Sequence, residues 1–182
     1  MLRFAAELKQ TAVLYGMHEG YRAGDLLKKS NATVLVSLKW PEKARDADPD
    51  EVDTFRTLET REKAPTAPMV LKQAGVKFAF YTDGVDASRE IQRAVKKAID
   101  SGLPREDAVR ALTLSPAEIY GIADRLGSVE KGKIANLVVT RGEIFDDRSK
   151  VEMVFIDGVK HLPTPEPAGR GGASTENPGE RQ

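Results

Sequence analysis

The residue of this sequence best placed to do chemistry is Asp83, and its position comes from the run Val76-Lys-Phe-Ala-Phe-Tyr-Thr-Asp-Gly84. The run reads as a short apolar strand. Val76, Phe78, Phe80 and Thr82 face one way, and Lys77, Ala79 and Tyr81 face the other. Asp83 stands where the strand stops, and Gly84 follows with a backbone free to turn in almost any direction. In α/β folds, ligands and catalytic side chains gather at such strand ends. A carboxylate there can hold a metal ion or take a proton from water. Asp and Gly are also common turn formers, and on this stretch by itself the plain turn is the stronger reading.

The rest of the chain limits what could assemble around Asp83. With 182 residues, it suits one domain, or one and a small second piece, and is long enough to bury a core. Twenty-eight basic and 28 acidic residues cancel, and no basic patch carries interleaved aromatics, so nucleic acid is not an expected partner. The chain has no cysteine, which excludes disulfides, thiol nucleophiles and Cys-ligated zinc. Only two histidines are present, His18 and His161. The first ten residues contain no long apolar run and read as neither a signal peptide nor a membrane span.

Taken in order, helical spacing over Leu2–Lys9 precedes an apolar strand, Thr11–Tyr15, closed by Gly16. A helix over Glu19–Lys29 ends at Ser30-Asn31, and a second strand occupies Ala32–Leu38. Trp40-Pro41 opens a charged stretch with a surface helix near Glu51–Arg61. A further helix, Ala64–Ala74, has Pro65 in its first turn and Gly75 as its stop, and the Val76 strand follows. Strands alternating with helices predict a parallel sheet with helices packed outside it. Beyond Asp83, helices are expected near Arg89–Asp100 and Pro104–Leu112, with Asp86 either capping the first of them or, with Arg89, lining a site mouth. A third begins at Leu114-Ser-Pro-Ala-Glu-Ile119, where Ser115 and Glu118 fit a capping box and Pro116 the first helical position. After Gly121 the pattern changes. Ile134–Thr140 and Val151–Asp157 alternate as strands and predict a small antiparallel sheet. The divisions are therefore 1–123, 124–161 and a Pro- and Gly-rich tail, 162–182, expected to be disordered.

Three segments carry a resemblance: Gly75-Val-Lys-Phe-Ala-Phe-Tyr-Thr-Asp-Gly84, Ala108-Val-Arg-Ala-Leu-Thr-Leu-Ser-Pro-Ala-Glu-Ile119, and Leu126-Gly-Ser-Val-Glu-Lys-Gly-Lys-Ile-Ala-Asn-Leu-Val-Val139 followed by Val154-Phe-Ile-Asp-Gly158. In this order, and over residues 12–160, the chain resembles the C-terminal part of the metal-dependent amidohydrolases, the imidazolonepropionase-like and dihydroorotase-like group. The resemblance implies an α/β chain: the C-terminal portion of a (β/α)8 TIM barrel, about three βα units, plus a small partial β-sandwich. It implies a divalent metal, zinc or similar, that activates water for hydrolysis of a non-peptide C–N bond in a cyclic amide or similar small molecule. Asp83 matches the last-strand carboxylate, which binds metal and shuttles the water's proton to the leaving amine. His18, in Tyr15-Gly-Met-His-Glu19, lies beyond a strand that resembles the sixth of the barrel, near whose end relatives carry a metal-binding His; Tyr15 and Gly16 are its rivals for that place. Glu19 reads as a favourable charge in the first turn of its helix rather than a ligand, Asn136 as a strand residue away from chemistry, and His161 as exposed.

The departures are as informative. The first-strand His-x-His, the fourth-strand Lys or acid and the fifth-strand His of the family have no counterpart here. The expectation is a C-terminal fragment, with Met1 an internal methionine, that does not catalyse by itself and binds metal weakly. Three strands leave two open edges, which invite self-association or pairing with a separate N-terminal half. A non-enzymatic α/β module, with Asp83-Gly84 as a turn, is the remaining alternative.

Overall fold

The computed structural model describes residues 2–44, 46–48 and 50–163. Two three-stranded sheets organise it. The first consists of β1 (Val13–Gly16), β2 (Thr33–Ser37) and β3 (Lys77–Tyr81), in that order and all parallel. Parallel neighbours need a crossover. Here α2 (Gly24–Lys29) links β1 to β2, and α3 (Phe55–Lys63) with α4 (Ala67–Gln73) links β2 to β3. A short α1 (Leu2–Glu7) precedes the sheet, and α5 (Ser88–Asp100), α6 (Arg105–Leu112) and α7 (Leu114–Ile119) follow it. This is a mixed α/β arrangement with parallel strands, as the alternation of elements predicts.

Register explains where the core sits. Leu14, Val34 and Phe78 align across the strands, as do Gly16, Val36 and Phe80. These positions share one face, and Val34, Val36, Phe78 and Phe80 form a buried cluster with Leu27 of α2, Leu71 of α4 and Val95 and Ala98 of α5. Each such side chain taken fully out of water contributes about 1.5–3 kcal/mol. The opposite face carries Val13, Tyr15, Leu35, Ser37, Ala79 and Tyr81 by alternation. Part of it is bare: Val13 is 42% and Tyr15 58% exposed.

The second sheet is antiparallel: β4 (Leu137–Arg141), β5 (Lys150–Ile156) and β6 (Val159–His161), in sequence order. The sequence predicts the first two strands and misses β6, which is too short to show periodicity. Asp157 and Gly158 both have positive φ (49° and 81°), the requirement of a tight two-residue hairpin. The Asn136 side chain fixes that hairpin by accepting the Asp157 N–H at 2.7 Å. His161 is exposed. The expected tail beyond residue 163 lies outside the described residues.

Several local expectations are corrected. The helix expected over Glu19–Lys29 is a short 3-10 turn, Gly20–Arg22, followed by α2. The surface helix starts late, at Phe55, because Thr54 caps it by accepting the Thr57 N–H. The capping box at Ser115 and Glu118 does not form. α7 begins at Leu114 directly after α6, and Thr113 at the junction donates its hydroxyl to the Val109 carbonyl at 2.8 Å. Glu118 instead takes the Arg110 guanidinium at 2.6 Å. Asp86 does not cap α5 either, since Ala87 occupies that position without a side-chain bond. Gly75 does end α4, with φ +69°.

One glycine ties the two sheets together. Gly127 has φ +96°, and a Cβ there would lie 2.8 Å from the Ala117 Cβ and 2.9 Å from the Leu114 Cα. The turn into the second sheet therefore rests directly on α7.

Candidate functional site

The C-terminal ends of β1, β2 and β3 bring together residues far apart in sequence. β1 ends at Gly16 (φ 90°), and Met17 continues with φ 32°. These positive angles turn the chain before His18. At the end of β3 the same device recurs: Asp83 has φ 53° and Gly84 φ 85°. Asp tolerates this region better than most residues; for Met17 it is uncommon, a strain of about 1–3 kcal/mol of the kind concentrated at functional sites. The turn expected at Asp83-Gly84 thus exists, and it presents the carboxylate.

Between these two ends sits Ser37, the last residue of β2 and fully buried. Its hydroxyl donates to Asp83 Oδ2 at 2.7 Å and accepts the Lys39 backbone N–H at 3.0 Å. A hydroxyl whose accepting lone pair is occupied in this way points its proton at the carboxylate, so Asp83 is held although exposed. Tyr81, in register with Ser37, also meets this group. Burial pushes its phenol above the ordinary range, the Asp83 charge adds to the effect, and the Ser37 hydroxyl opposes it. Tyr81 therefore keeps its proton. Its ring stands edge-on to Tyr15, with centroids 5.5 Å apart.

His18 reaches the same place. The Ser37 backbone hydrogen-bonds its ring, and the Asp83 charge acts on it. Both raise its pKa, but burial has the larger effect and holds the imidazole below its usual range. The ring is therefore neutral at pH 7. Its Nε2 is buried and has no hydrogen-bond partner among the described residues. A buried polar atom left unpaired costs about 1–3 kcal/mol and calls for an explanation. Trp40 walls the ring, with centroids 5.8 Å apart, and is itself fixed by Nε1 donating to the Ala94 carbonyl at 2.8 Å. A neutral imidazole with a ring nitrogen left to donate its lone pair is the usual state of a metal-ligating histidine. The donor set, one imidazole nitrogen and one carboxylate, suits zinc among other divalent ions. Among the described residues no cluster of three or more His, Asp or Glu side chains forms.

The other candidates lie elsewhere in function. Glu19 accepts from Arg56 at 3.3 Å and from the Thr60 hydroxyl at 3.2 Å, so its carboxylate ties the segment after β1 to α3. Those bonds, Arg56 first, hold its pKa below the ordinary carboxylate range. Tyr15 points its hydroxyl at that of Tyr120, 3.4 Å away. Sequence reasoning misses Ser37 and Trp40. The signal for Ser37 is its place at the end of an apolar strand; for Trp40 it is that the chain's one tryptophan follows that strand by three residues.

The amidohydrolase family profile matches residues 17–160. Among curated proteins, the chain is similar to N-acetylglucosamine-6-phosphate deacetylase of Haemophilus influenzae, 50% identical over 54 residues, which is 29% of this chain and 14% of that protein. It is also similar to adenine deaminase of Moorella thermoacetica, 29% identical over 68 residues, or 37% of this chain and 11% of the other. Among solved structures, an amidohydrolase from Thermotoga maritima is 33% identical with a TM-score of 0.70, covering 90% of this chain and 40% of its own. An adenosine deaminase from Xanthomonas campestris with bound zinc superposes with a TM-score of 0.51 at 20% identity, covering 88% of this chain and 40% of the other, and shows likeness of fold alone. The chain thus spans less than half the length of each of these relatives. With most of its residues matched, it belongs to the amidohydrolase family, whose members are typically metal-dependent.

Proposed function

We propose that this chain carries part of the active site of a metal-dependent hydrolase of C–N bonds, with His18 and Asp83 as metal ligands and Asp83 as the group that moves the proton. The observation that carries this reading is the buried, unpartnered Nε2 of His18 beside an Asp83 that Ser37 holds in place. A divalent ion bound there supplies Lewis acidity, which acidifies a water and polarises a carbonyl. The chain's own residues do the rest. Asp83 accepts a proton and returns it to the departing amine. Ser37 fixes the carboxylate and, through its backbone, restrains the imidazole. Trp40 keeps the ring from swinging away, and the protonated Tyr81 remains a hydrogen-bond donor beside Asp83.

Two donors hold a divalent ion weakly, since zinc sites that do chemistry use three protein ligands. The isolated chain is therefore inactive in this reading, and its strands are the sixth to eighth of a barrel completed by further units. Among the described residues no strand pairs with the outer edges of β1 and β3, which favours a second version, in which a separately encoded N-terminal half docks there. The substrate is a small molecule with a cyclic amide or similar non-peptide bond. Because prolidases share the fold at 21% identity, an Xaa-Pro dipeptide belongs in any substrate panel.

The test is a chimera in which this chain replaces the matched 40% of the Thermotoga amidohydrolase. The expected result is retained zinc and hydrolysis of at least one cyclic or N-acyl amide, lost by more than a thousandfold in Asp83→Asn. Zinc retention and turnover that survive both Asp83→Asn and His18→Ala would sink the assignment.

A further inference from the structure

Surface helices ordinarily turn an apolar stripe inward and a charged face outward. α3 does the reverse. Its two large apolar side chains, Phe55 and Leu58, are 82% and 51% exposed, and none of its residues is buried. Its inward face is polar. Arg56, Glu59, Thr60 and Lys63 share one side of the helix by their spacing, and the first three are bonded to the segment that leaves β1. The Arg56 guanidinium donates to both Glu19 carboxylate oxygens, at 3.4 and 3.3 Å, and the Thr60 hydroxyl donates to Glu19 at 3.2 Å. Glu59 takes the Arg22 guanidinium and, at 3.0 Å, Lys63 of its own helix.

Other bonds hold α3 together from within. Thr54 caps it, and Asp53 pairs with Arg61. Its far end runs into Ala64, which is fully buried in the main cluster. The helix is thus a unit rooted in the core at one end and tied along its length to Glu19 and Arg22. Those ties are partly exposed, so water and salt weaken them. What they hold is the turn beside the candidate site. His18 and Glu19 are the central residues of a turn closed by the Gly20 N–H and the Met17 carbonyl at 2.9 Å. Gly16 and Met17 enter it with positive φ, and Gly20 beyond it is buried. A bond to Glu19 therefore acts on the residue next to His18.

We propose that α3 is an electrostatic latch on the turn that carries His18. Docked, it fixes the backbone from which the imidazole projects. When its ion pairs are screened, α3 swings on Ala64 and the turn loosens. The latch needs no metal; only its bearing on metal binding rests on the reading of His18 as a ligand.

The experiment cuts the latch from one side and reads the other, on the full chain without metal. In Glu19→Gln/Arg22→Gln, which leaves α3 itself unchanged, amide hydrogen exchange over Leu58–Lys63 should quicken about fivefold or more, while that of Val34–Val36 stays as in wild type. In Arg56→Gln/Thr60→Val, which leaves the turn unchanged, the His18 imidazole resonance should shift and broaden at fixed pH. Sodium chloride at about 1 M, where charges are screened within about 3 Å, should reproduce both effects in wild type. Lys96→Gln, which breaks an ion pair on α5, leaves both readouts unchanged. Unaltered exchange in the first variant, an unmoved His18 resonance in the second, or indifference to salt overturns the proposal. Zinc titration of the chimera separates the two claims: a His18 that answers to α3 but takes no zinc sinks the metal assignment and leaves the latch standing.

Discussion

The two faces of the parallel sheet are made from the same three strands and behave differently. On the helix-covered face, Val34, Val36, Phe78 and Phe80 lock into α2, α4 and α5. On the other face, Leu35 and Ala79 are buried, while Val13 and Tyr15 are exposed. The hydrophobic effect is spent on the first face. The second keeps its polar and aromatic side chains, Ser37, Tyr81 and Tyr15, beside the strand ends where His18 and Asp83 meet. The packed cluster and the strand-borne candidates Ser37, Tyr81 and Tyr15 therefore occupy opposite faces of one sheet.

The strongest way to break this division is to cut into the covered face. Phe80→Ala should cost about 3–5 kcal/mol in urea unfolding, through lost transfer energy and a cavity. Tyr15→Ala on the open face should cost less than about 1 kcal/mol and should reduce self-association measured by sedimentation. Equal costs would mean that the open face is covered in solution. Next in size, Trp40→Phe removes the bond to the Ala94 carbonyl and should cost about 1–2 kcal/mol. It should also loosen His18, seen as a shifted imidazole resonance. Ser37→Ala sharpens the contrast from the other side. It should change stability by only about 1 kcal/mol, yet lower zinc affinity of the chimera tenfold or more by releasing Asp83. The smallest effect is expected at Glu19→Gln. The folded carboxyl has a lowered pKa, so its contribution is present above the unfolded value and is lost as pH falls through the folded one. The melting temperatures of wild type and variant should differ slightly at pH 7 and converge at acid pH.

Much of the layered arrangement is legible in the sequence because it rests on local periodicity. The alternation from Val76 to Thr82 gives the strand and its two faces, and Gly75 gives the helix stop. The candidate site is legible only in part. Asp83 shows itself because an acid followed by glycine ends an apolar strand. Ser37 does not, since its partner is 46 residues away and a strand-end serine has no local mark. Local rules also failed where a tertiary partner competed. Glu118 had the spacing for a capping box, but Arg110, one helix earlier, offered a full charge instead of a backbone N–H. Asp86 stood one residue too early to cap α5.

The close packing around Gly127 bears on how the molecule tolerates change. Its only side-chain substituent on that side is a hydrogen, lodged against Ala117, Leu114 and the Thr113 carbonyl. All of β4, β5 and β6 lies beyond this fulcrum. A methyl group here would not merely strain one turn. It would push the turn away from α7, while Phe145 in the main cluster and the Arg105 pairs with Glu143 and Asp146 hold the β4–β5 connection at a second place, so the added strain falls on the segment between the two anchors.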